Sequence, residues 1–245
     1  MKFSTGDYFT DEVSETLNFT IDKITTQEAN AIRRTILRDI QCFSFGKVQF
    51  LASNISFPEE MISRRIEELH IRNTPEISEG QVFTLEAKCP EDKAKYDVKT
   101  KILVKKYPVL KNVINDDMVL ITLKSKEVFK VRFELTKGTS LIHNRWSVVS
   151  AVGYKEVGSR KMKDAYDYDN KTYEMFIETQ NVLDPKKILL DSCEIIVNQL
   201  QAAKVSEEDE KTRVSRSGDE KVKIIIPNNH HTVSMMIATR LMMDK

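Results

Sequence analysis

The chain has 245 residues, 40% of them hydrophobic, and its 38 basic and 37 acidic side chains leave a net charge of +1. This length allows one large domain or two small ones. The neutral balance argues against a protein whose main task is to grip a phosphate backbone. The three cysteines, Cys42, Cys89 and Cys193, lie far apart without a CxxC pair. We therefore expect reduced thiols in a nuclear or cytoplasmic protein instead of a disulfide framework.

The first residues predict a strand followed by a helix. Apolar and polar residues alternate over 17–21, which is typical of a half-buried strand. Thr25 and Glu28 have the spacing of a capping box, and an apolar stripe follows them. This pattern predicts a helix over 26–40.

A second strand and a short helix are expected next. Residues 43–50 favour a strand that is broken at Gly46. Ser56 and Glu59 repeat the capping-box spacing, and Pro58 suits the first turn of a helix, where its missing N–H costs little.

The hydrophobic period changes to two between residues 79 and 154, which predicts a mostly-β unit between two helix-containing regions. The segments expected to form strands are 82–87, 98–104, 118–124, 128–136 and 148–154. The rest of the chain predicts a loop at 156–171, a strand at 173–177, a helix at 185–202 with Asp184 as its cap, a charged mobile linker at 203–220, a strand at 222–226 and a helix at 233–241.

The sequence lacks the common catalytic motifs: GxxxxGK[ST], GxGxxG, GxSxG and HExxH are all absent. His230 and His231 are adjacent and point in different directions on a helix, so we expect no metal site. Arg33 and Arg34 fit either a solvated helix face or a charged docking rim. Trp146 fits either the core or an interface anchor.

Several segments resemble, in the same order, the alpha-type subunits of multi-subunit, DNA-dependent RNA polymerases. Residues 29–37 resemble the "NALRR" helix of that family, and 137–154, with His143 and Trp146, resemble the "KG…HAKWSPV…Y" segment of its archaeal and eukaryotic members. Further matching segments are 54–66, 117–131 and 176–188. The resemblance covers roughly 15–202 and indicates the branch that contains the archaeal alpha-type subunit and the eukaryotic third-largest subunit.

The sequence also departs from this pattern. The four-cysteine metal module of the family is absent, since only Cys89 lies in that region. Arg145 and Val148 stand where the family has Lys and Pro. Such divergence suggests a polymerase encoded by a large DNA virus. Residues 231–237 are similar to the strand-to-helix junction of the small alpha-like partner, and either a remnant of that partner or an ordinary strand and helix explains them.

The resemblance implies an α+β fold, with an alpha-type dimerisation domain of one sheet and two helices that is interrupted by an inserted mostly-β domain. The implied bounds are 1–75 for the first part of the dimerisation domain, 76–157 for the insert, 158–202 for the second part, 203–220 for the linker and 221–245 for the C-terminal strand and helix.

The implied function is non-catalytic assembly of the polymerase, with no cofactor and with the catalytic residues in other subunits. The chain would dimerise with a small alpha-like subunit, or its fused equivalent, and dock the second-largest subunit, which leaves the largest subunit, DNA and RNA as indirect contacts. It would work in the nucleus or cytoplasm, or in a virion or cytoplasmic factory if viral. The alternative is a protein- or nucleic-acid-binding adaptor with an inserted β domain.

The resemblance also implies two sets of site residues. Those expected at the dimer seam are Ala29, Ile32, Ile36, Leu37, Ile188, Leu189, Ile195 and Ile196. Those expected to face the second-largest subunit are Asn30, Arg33, Arg34, Arg64, Arg65, Gly138, His143, Arg145 and Trp146.

Overall fold

The computed structural model describes the backbone of residues 3–10, 15–158, 171–203, 213–216, 222–225 and 231–243. It describes side chains in 15–158, 171–203 and 231–243. The fold is mixed α+β with antiparallel sheets, which confirms the predicted fold class at this level. No described helix combines the length and apolarity that crossing a bilayer requires.

Eleven strands and five α-helices occur in the described parts of the chain. The strands are β1 (Phe3–Thr10), β2 (Glu15–Ile24), β3 (Gln41–Ser53), β4 (Val82–Lys88), β5 (Lys95–Lys99), β6 (Val119–Lys124), β7 (Val128–Thr139), β8 (Val149–Glu156), β9 (Lys171–Thr179), β10 (Arg213–Arg216) and β11 (Val222–Ile225). The helices are α1 (Thr26–Arg38), α2 (Glu59–Glu67), α3 (Lys101–Lys106), α4 (Pro185–Ala202) and α5 (His231–Met243).

The first core lies between a four-stranded antiparallel sheet and a layer of helices. The strand order is β1-β2-β9-β8, with α1 packed near β8 and α4 near β2 and β9. Alternate residues of β2, namely Leu17, Phe19 and Ile21, are buried, because successive side chains of a strand point to opposite faces. The apolar stripe of α1 covers this face, and the sheet and helices together exclude water.

The second core is formed by residues between α1 and β8. Strands β3, β7 and β4 make one antiparallel sheet, and β5 pairs with β6. Ile62 and Ile66 of α2 are fully buried here, together with the Phe45, Phe83 and Phe133 rings. Phe45 meets Phe133 edge to face with the ring centroids 4.9 Å apart. Burial of these aromatic rings supplies much of the apolar area that stabilises this core.

The helix starts predicted for α1 and α4 are confirmed. The Glu28 backbone N–H donates to the Thr25 hydroxyl at 3.2 Å, and the Thr25 backbone N–H donates to the Glu28 carboxylate at 2.7 Å. Asp184 accepts the backbone N–H of Lys186 at 2.7 Å, and Pro185 is the first helical residue. Both helices therefore begin where a side chain satisfies an unpaired backbone donor.

Three local predictions were wrong. The strand expected at 98–104 is the end of β5 followed by α3, since a short apolar run does not separate strand from helix. Strand β3 continues through Gly46, with a register shift between Gly46 and Gln49. Ser56 does not cap α2; its backbone N–H and hydroxyl both donate to Glu127, at 2.8 and 2.7 Å.

The strand pairing differs from the expected domain bounds. β8 pairs with β9 in the first sheet, although it falls within the segment 76–157. β3 and α2 belong to the second core, although they precede residue 76. β10 lies within the expected linker and pairs with β11. The expected loop 156–171 lies mostly outside the described residues.

Candidate docking surface

Three of the predicted docking residues meet where the two cores join. Arg64, in the last turn of α2, lies with its Nη1 atom 3.0 Å from Nε2 of His143. The other ring nitrogen of His143 accepts the backbone N–H of Arg145 at 3.1 Å. Because Nδ1 accepts this bond, Nε2 is the nitrogen that carries the hydrogen, so the Arg64 guanidinium, which can only donate, lies against His143 without a hydrogen bond. The His143 side chain caps the short 3₁₀ helix Asn144–Trp146.

Arg145 is held in place by a carboxylate and an aromatic ring. Its Nη1 atom lies 2.9 Å from the Glu67 carboxylate, and its guanidinium carbon lies 4.6 Å from the ring centroid of Trp146. Glu67 also lies 3.9 Å from Arg64, so one acid serves two arginines. The planar guanidinium suits this combination of ion pair and stacking, which a lysine could not reproduce.

Trp146 is a core residue, and the Arg145 guanidinium stacks on its ring. Its side chain is 8% exposed, and its indole N–H donates to the Thr136 carbonyl at 3.4 Å. A Cβ atom added to Gly138 would lie 2.6 Å from the indole ring, so only glycine allows β7 to approach so closely. Of the two interpretations of Trp146, the structure favours the core.

The remaining predicted docking residues lie apart from this group. Arg65 donates to the Leu120 carbonyl at 2.9 Å and stacks on Phe57, on another side of α2. Asn30, Arg33 and Arg34 are half-buried on α1. Arg34 is one turn before Arg38 and therefore shares its face.

Most residues predicted at the dimer seam are buried inside the chain itself. Ile32 and Ile36 of α1 cover the chain's own sheet, and Ile188 and Ile196 of α4 are buried beside them. Five of the predicted seam residues are therefore buried and cannot contact a partner: Ala29, Ile32, Ile36, Ile188 and Ile196. Leu37, Leu189 and Ile195 are half-buried.

The outward face of α4 carries apolar residues that the sequence reasoning did not select. Leu190 is 69% exposed and Val197 is 49% exposed. They are seven residues apart and lie on the same side of the helix. A helix whose inner and outer faces are both apolar is typical of a helix between two packed layers. The overall apolar character of α4 was the available signal, but the choice of face required the structure.

Helix α5 covers part of α1. Val233 is buried, and Met236 packs against the first core. Arg240 forms two hydrogen bonds to the Glu28 carboxylate, at 2.6 and 3.0 Å. The C-terminal helix thus lies on the helix that the sequence associated with a partner.

Two cavities lie along the junction of the two cores. One, of about 460 Å³, is lined by Arg145 and His70, and the other, of about 630 Å³, is lined by His70 and Arg72. Burial lowers the pKa of His70 below its ordinary value, and the neighbouring Glu68 raises it by a smaller amount. Within the described residues, no group of three or more His, Cys, Asp or Glu side chains could hold a metal ion.

Sequence reasoning missed Glu67, the carboxylate on which both arginines converge. Glu67 and Arg145 are far apart in the chain, so no local pattern links them. It also missed Leu141 and Ile142, although two adjacent large apolar residues within a polar loop are a signal that the sequence carries.

Comparison with known proteins gives one informative similarity. No protein-family model matches the sequence. The chain is similar to DNA-directed RNA polymerase subunit Rpo3 of Methanocaldococcus jannaschii, with 23% identity over 179 residues. The aligned residues span 71% of this chain and 81% of the archaeal protein.

Proposed function

We propose that this chain is a non-catalytic assembly subunit of a multi-subunit, DNA-dependent RNA polymerase, of the alpha type. The observation that carries the proposal is the similarity to the archaeal polymerase subunit, which extends over most of both chains. The polymerase-like motifs of the sequence follow the same order along the chain. The chemistry of transcription then belongs to other subunits, and this chain contributes surfaces.

The two cores support an interrupted dimerisation domain. In this proposal the sheet β1-β2-β9-β8 with α1 and α4 is the dimerisation domain, and the second core is the insert. The insert would then run from about the start of β3 to the end of β7. It would begin before residue 76 and end before residue 157.

The outer faces of the helices form the dimer seam in this proposal. Leu190 and Val197 offer exposed apolar area there, and burial of such area drives association. The contact of α5 with α1 supports the fused version of the small alpha-like partner, in which the chain itself supplies one helix of the seam.

The group around Arg64, His143 and Arg145 docks the second-largest subunit in this proposal. These residues come from α2 and from the loop before β8. His143 is fixed by the Arg145 backbone N–H, and the Arg145 side chain is fixed by the Glu67 carboxylate. A surface of this kind loses little side-chain freedom on binding, which favours affinity. The complex would act in the nucleus or cytoplasm, wherever this polymerase transcribes.

The test is a pull-down of the tagged full chain from its native source, with mass spectrometry of the proteins retained. We expect two much larger subunits in a fixed ratio to the chain. A well-behaved monomer without large partners would contradict the proposal and favour the adaptor function.

A matched pair of variants locates the seam. Leu190→Asp places a charge on the outer face of α4 and should reduce retention of the other subunits, since an unpaired charge is costly in an apolar interface. Leu51→Asp, at a comparably exposed leucine of β3, should leave retention unchanged. Equal losses in the two variants would argue against a seam on α4.

A further inference from the structure

Two large apolar side chains project from the tip between β7 and the 3₁₀ helix. Leu141 is 55% exposed and Ile142 is 72% exposed, which makes Ile142 the most exposed large hydrophobic residue in the described part of the chain. Single exposed apolar residues are common on protein surfaces, but an adjacent pair on one tip is a small contiguous patch.

The tip is rigid. The Leu141 backbone N–H donates to the carbonyl of Arg38, the last residue of α1, at 3.1 Å. The backbone N–H groups of Ile142 and His143 donate to the Thr139 carbonyl at 3.0 and 3.4 Å. The His143 side chain is in turn held by the Arg145 backbone N–H, which donates to its Nδ1. The backbone that carries the two apolar side chains is therefore hydrogen-bonded at three positions, which lowers the entropy cost of ordering this segment on binding.

Four arginines lie on the elements that meet at the tip. The Arg38 backbone carbonyl accepts the Leu141 N–H, and Arg34 lies one turn earlier on the same face of α1. Arg64 approaches from α2 on the other side and Arg145 from the following 3₁₀ helix. Two carboxylates pair with three of these four arginines.

The two carboxylates are already engaged within the chain. Asp39 binds Arg38 at 2.9 Å, and Glu67 is shared between Arg64 and Arg145. Within the described residues, Arg34 has no carboxylate partner. Glu68 lines a cavity together with Arg145 and Ser140, so the four arginines face three carboxylates and a small excess of positive charge remains beside the apolar tip.

We propose that Leu141 and Ile142 are the apolar anchor of the docking surface and that they enter an apolar pocket with an acidic rim on the large partner subunit. This inference rests on the proposed function, because it specifies how the large subunit is bound. An apolar centre enclosed by charged residues is the arrangement in which few side chains carry most of the binding energy. The arginines would guide the encounter and select a partner of opposite charge.

The test uses the full chain in its native complex, with the double variant Leu141→Ser, Ile142→Ser. Both residues are exposed, so the fold and the fluorescence of Trp146 should be unchanged. We expect retention of the large subunits to fall about tenfold or more, as expected for loss of an interface hot spot. The control is Leu51→Ser, Val82→Ser, which removes exposed apolar area from the second core and should retain the large subunits.

A second measurement tests the charged rim. Arg34→Glu should weaken retention of the large subunits more at low salt than at high salt, because screening reduces electrostatic contributions. An effect that is independent of salt would overturn the acidic rim.

The outcomes separate this inference from the proposed function. If the unchanged chain retains no large subunits, the proposed function fails. If the unchanged chain and the Leu141→Ser, Ile142→Ser variant retain them equally, the function stands and the anchor is overturned. A flotation assay with anionic lipid vesicles tests a membrane surface as the occupant. If the unchanged chain floats with the vesicles, and the double variant does not float but still retains the large subunits, the tip binds a membrane and the inference is overturned.

Discussion

At the scale of single residues, Glu127 joins two segments that are distant in sequence. Its carboxylate accepts the backbone N–H and hydroxyl of Ser56, at 2.8 and 2.7 Å, and the backbone N–H of Lys124, at 2.7 Å. The hydrogen bond from the Lys124 backbone is the largest cause that lowers the pKa of Glu127 from its ordinary 4.5. One buried carboxylate thus links the β6–β7 turn to the segment before α2.

Glu127→Gln should lower the free energy of unfolding by about 1–3 kcal/mol at neutral pH, because it removes the charge from three hydrogen bonds. The pKa of Glu127 is lower in the folded than in the unfolded state, so its stabilisation is full above the unfolded pKa and is lost as the pH falls through the folded pKa. Urea unfolding of the unchanged protein and of Glu127→Gln, at pH 7 and below pH 4, measures this difference in the free energy of unfolding. A difference between the proteins that grows in acid would contradict it.

A second prediction at this scale concerns the close packing of Gly138 against Trp146. Gly138→Ala places a methyl group against the indole of Trp146 and should cost about 1–3 kcal/mol of stability by overpacking. Because Trp146 is the only tryptophan, a red shift of its fluorescence reports the displacement.

Gly153→Ala is a matched control for this variant. The added methyl group would be equally close to the Phe176 ring, but that side chain is exposed and can move aside. Tryptophan emission should therefore stay unchanged in Gly153→Ala, and an equal shift in both variants would show that the effect is not local to Trp146.

At the scale of elements, Glu28 connects the start of α1 to α5. Its carboxylate completes the capping box with Thr25 and also accepts two hydrogen bonds from Arg240. The first interaction was predictable from the spacing of three residues. The second joins residues more than two hundred positions apart, and only the packing of α5 on α1 brings it about.

Glu28→Ala and Arg240→Ala should therefore differ. Glu28→Ala removes the Glu28 half of the capping box and the ion pair and should cost about 1–2 kcal/mol, while Arg240→Ala removes only a partly exposed pair worth about 1 kcal/mol or less. Hydrogen exchange measures this by region. We expect faster exchange in the first turn of α1 only for Glu28→Ala, and faster exchange in α5 for both variants. Unchanged α5 exchange in both would show that this pair does not hold α5.

At the scale of the whole molecule, the chain leaves the first core after α1, builds the second core, and returns through the loop of Trp146 to β8. Residues of the first core thus come from the segments that precede and follow the second core in the sequence. Three of the predicted docking residues, Arg64, His143 and Arg145, lie at this return, where α2 meets the loop before β8. The site depends on how the two cores are joined.

Ile36 distinguishes the internal core from the outer face of the helices. Ile36→Asp buries an unpaired charge in the first core and should cost about 4 kcal/mol or more, which unfolds this part of the chain. Leu190→Asp, on the exposed face of α4, should change stability by about 0.5 kcal/mol or less. Thermal unfolding of the chain by itself measures both. Similar melting temperatures for the two variants would show that Ile36 faces outward, as the sequence had suggested.

Local patterns predicted the elements with a clear period. The capping residues of α1 and α4, the alternation of β2, β7 and β9, and the α+β class follow from interactions between near neighbours in sequence. The short segment 98–104 was wrong, because its few apolar residues fit a strand and a helix equally well. β1 was not predicted, and its register with β2 is irregular.

Local sequence patterns specified the starts of α1 and α4, the alternation of β2, β7 and β9 and the order of motifs that resembles a polymerase subunit, because these features depend on neighbours a few residues apart. Packing between distant segments places Ile32 and Ile36 against the chain's own sheet, brings Glu67 to Arg145, and leaves Leu141 and Ile142 exposed. An apolar helix stripe specifies that it is buried but not by what, since the hydrophobic effect has no direction. The choice of partner is made when the whole chain packs.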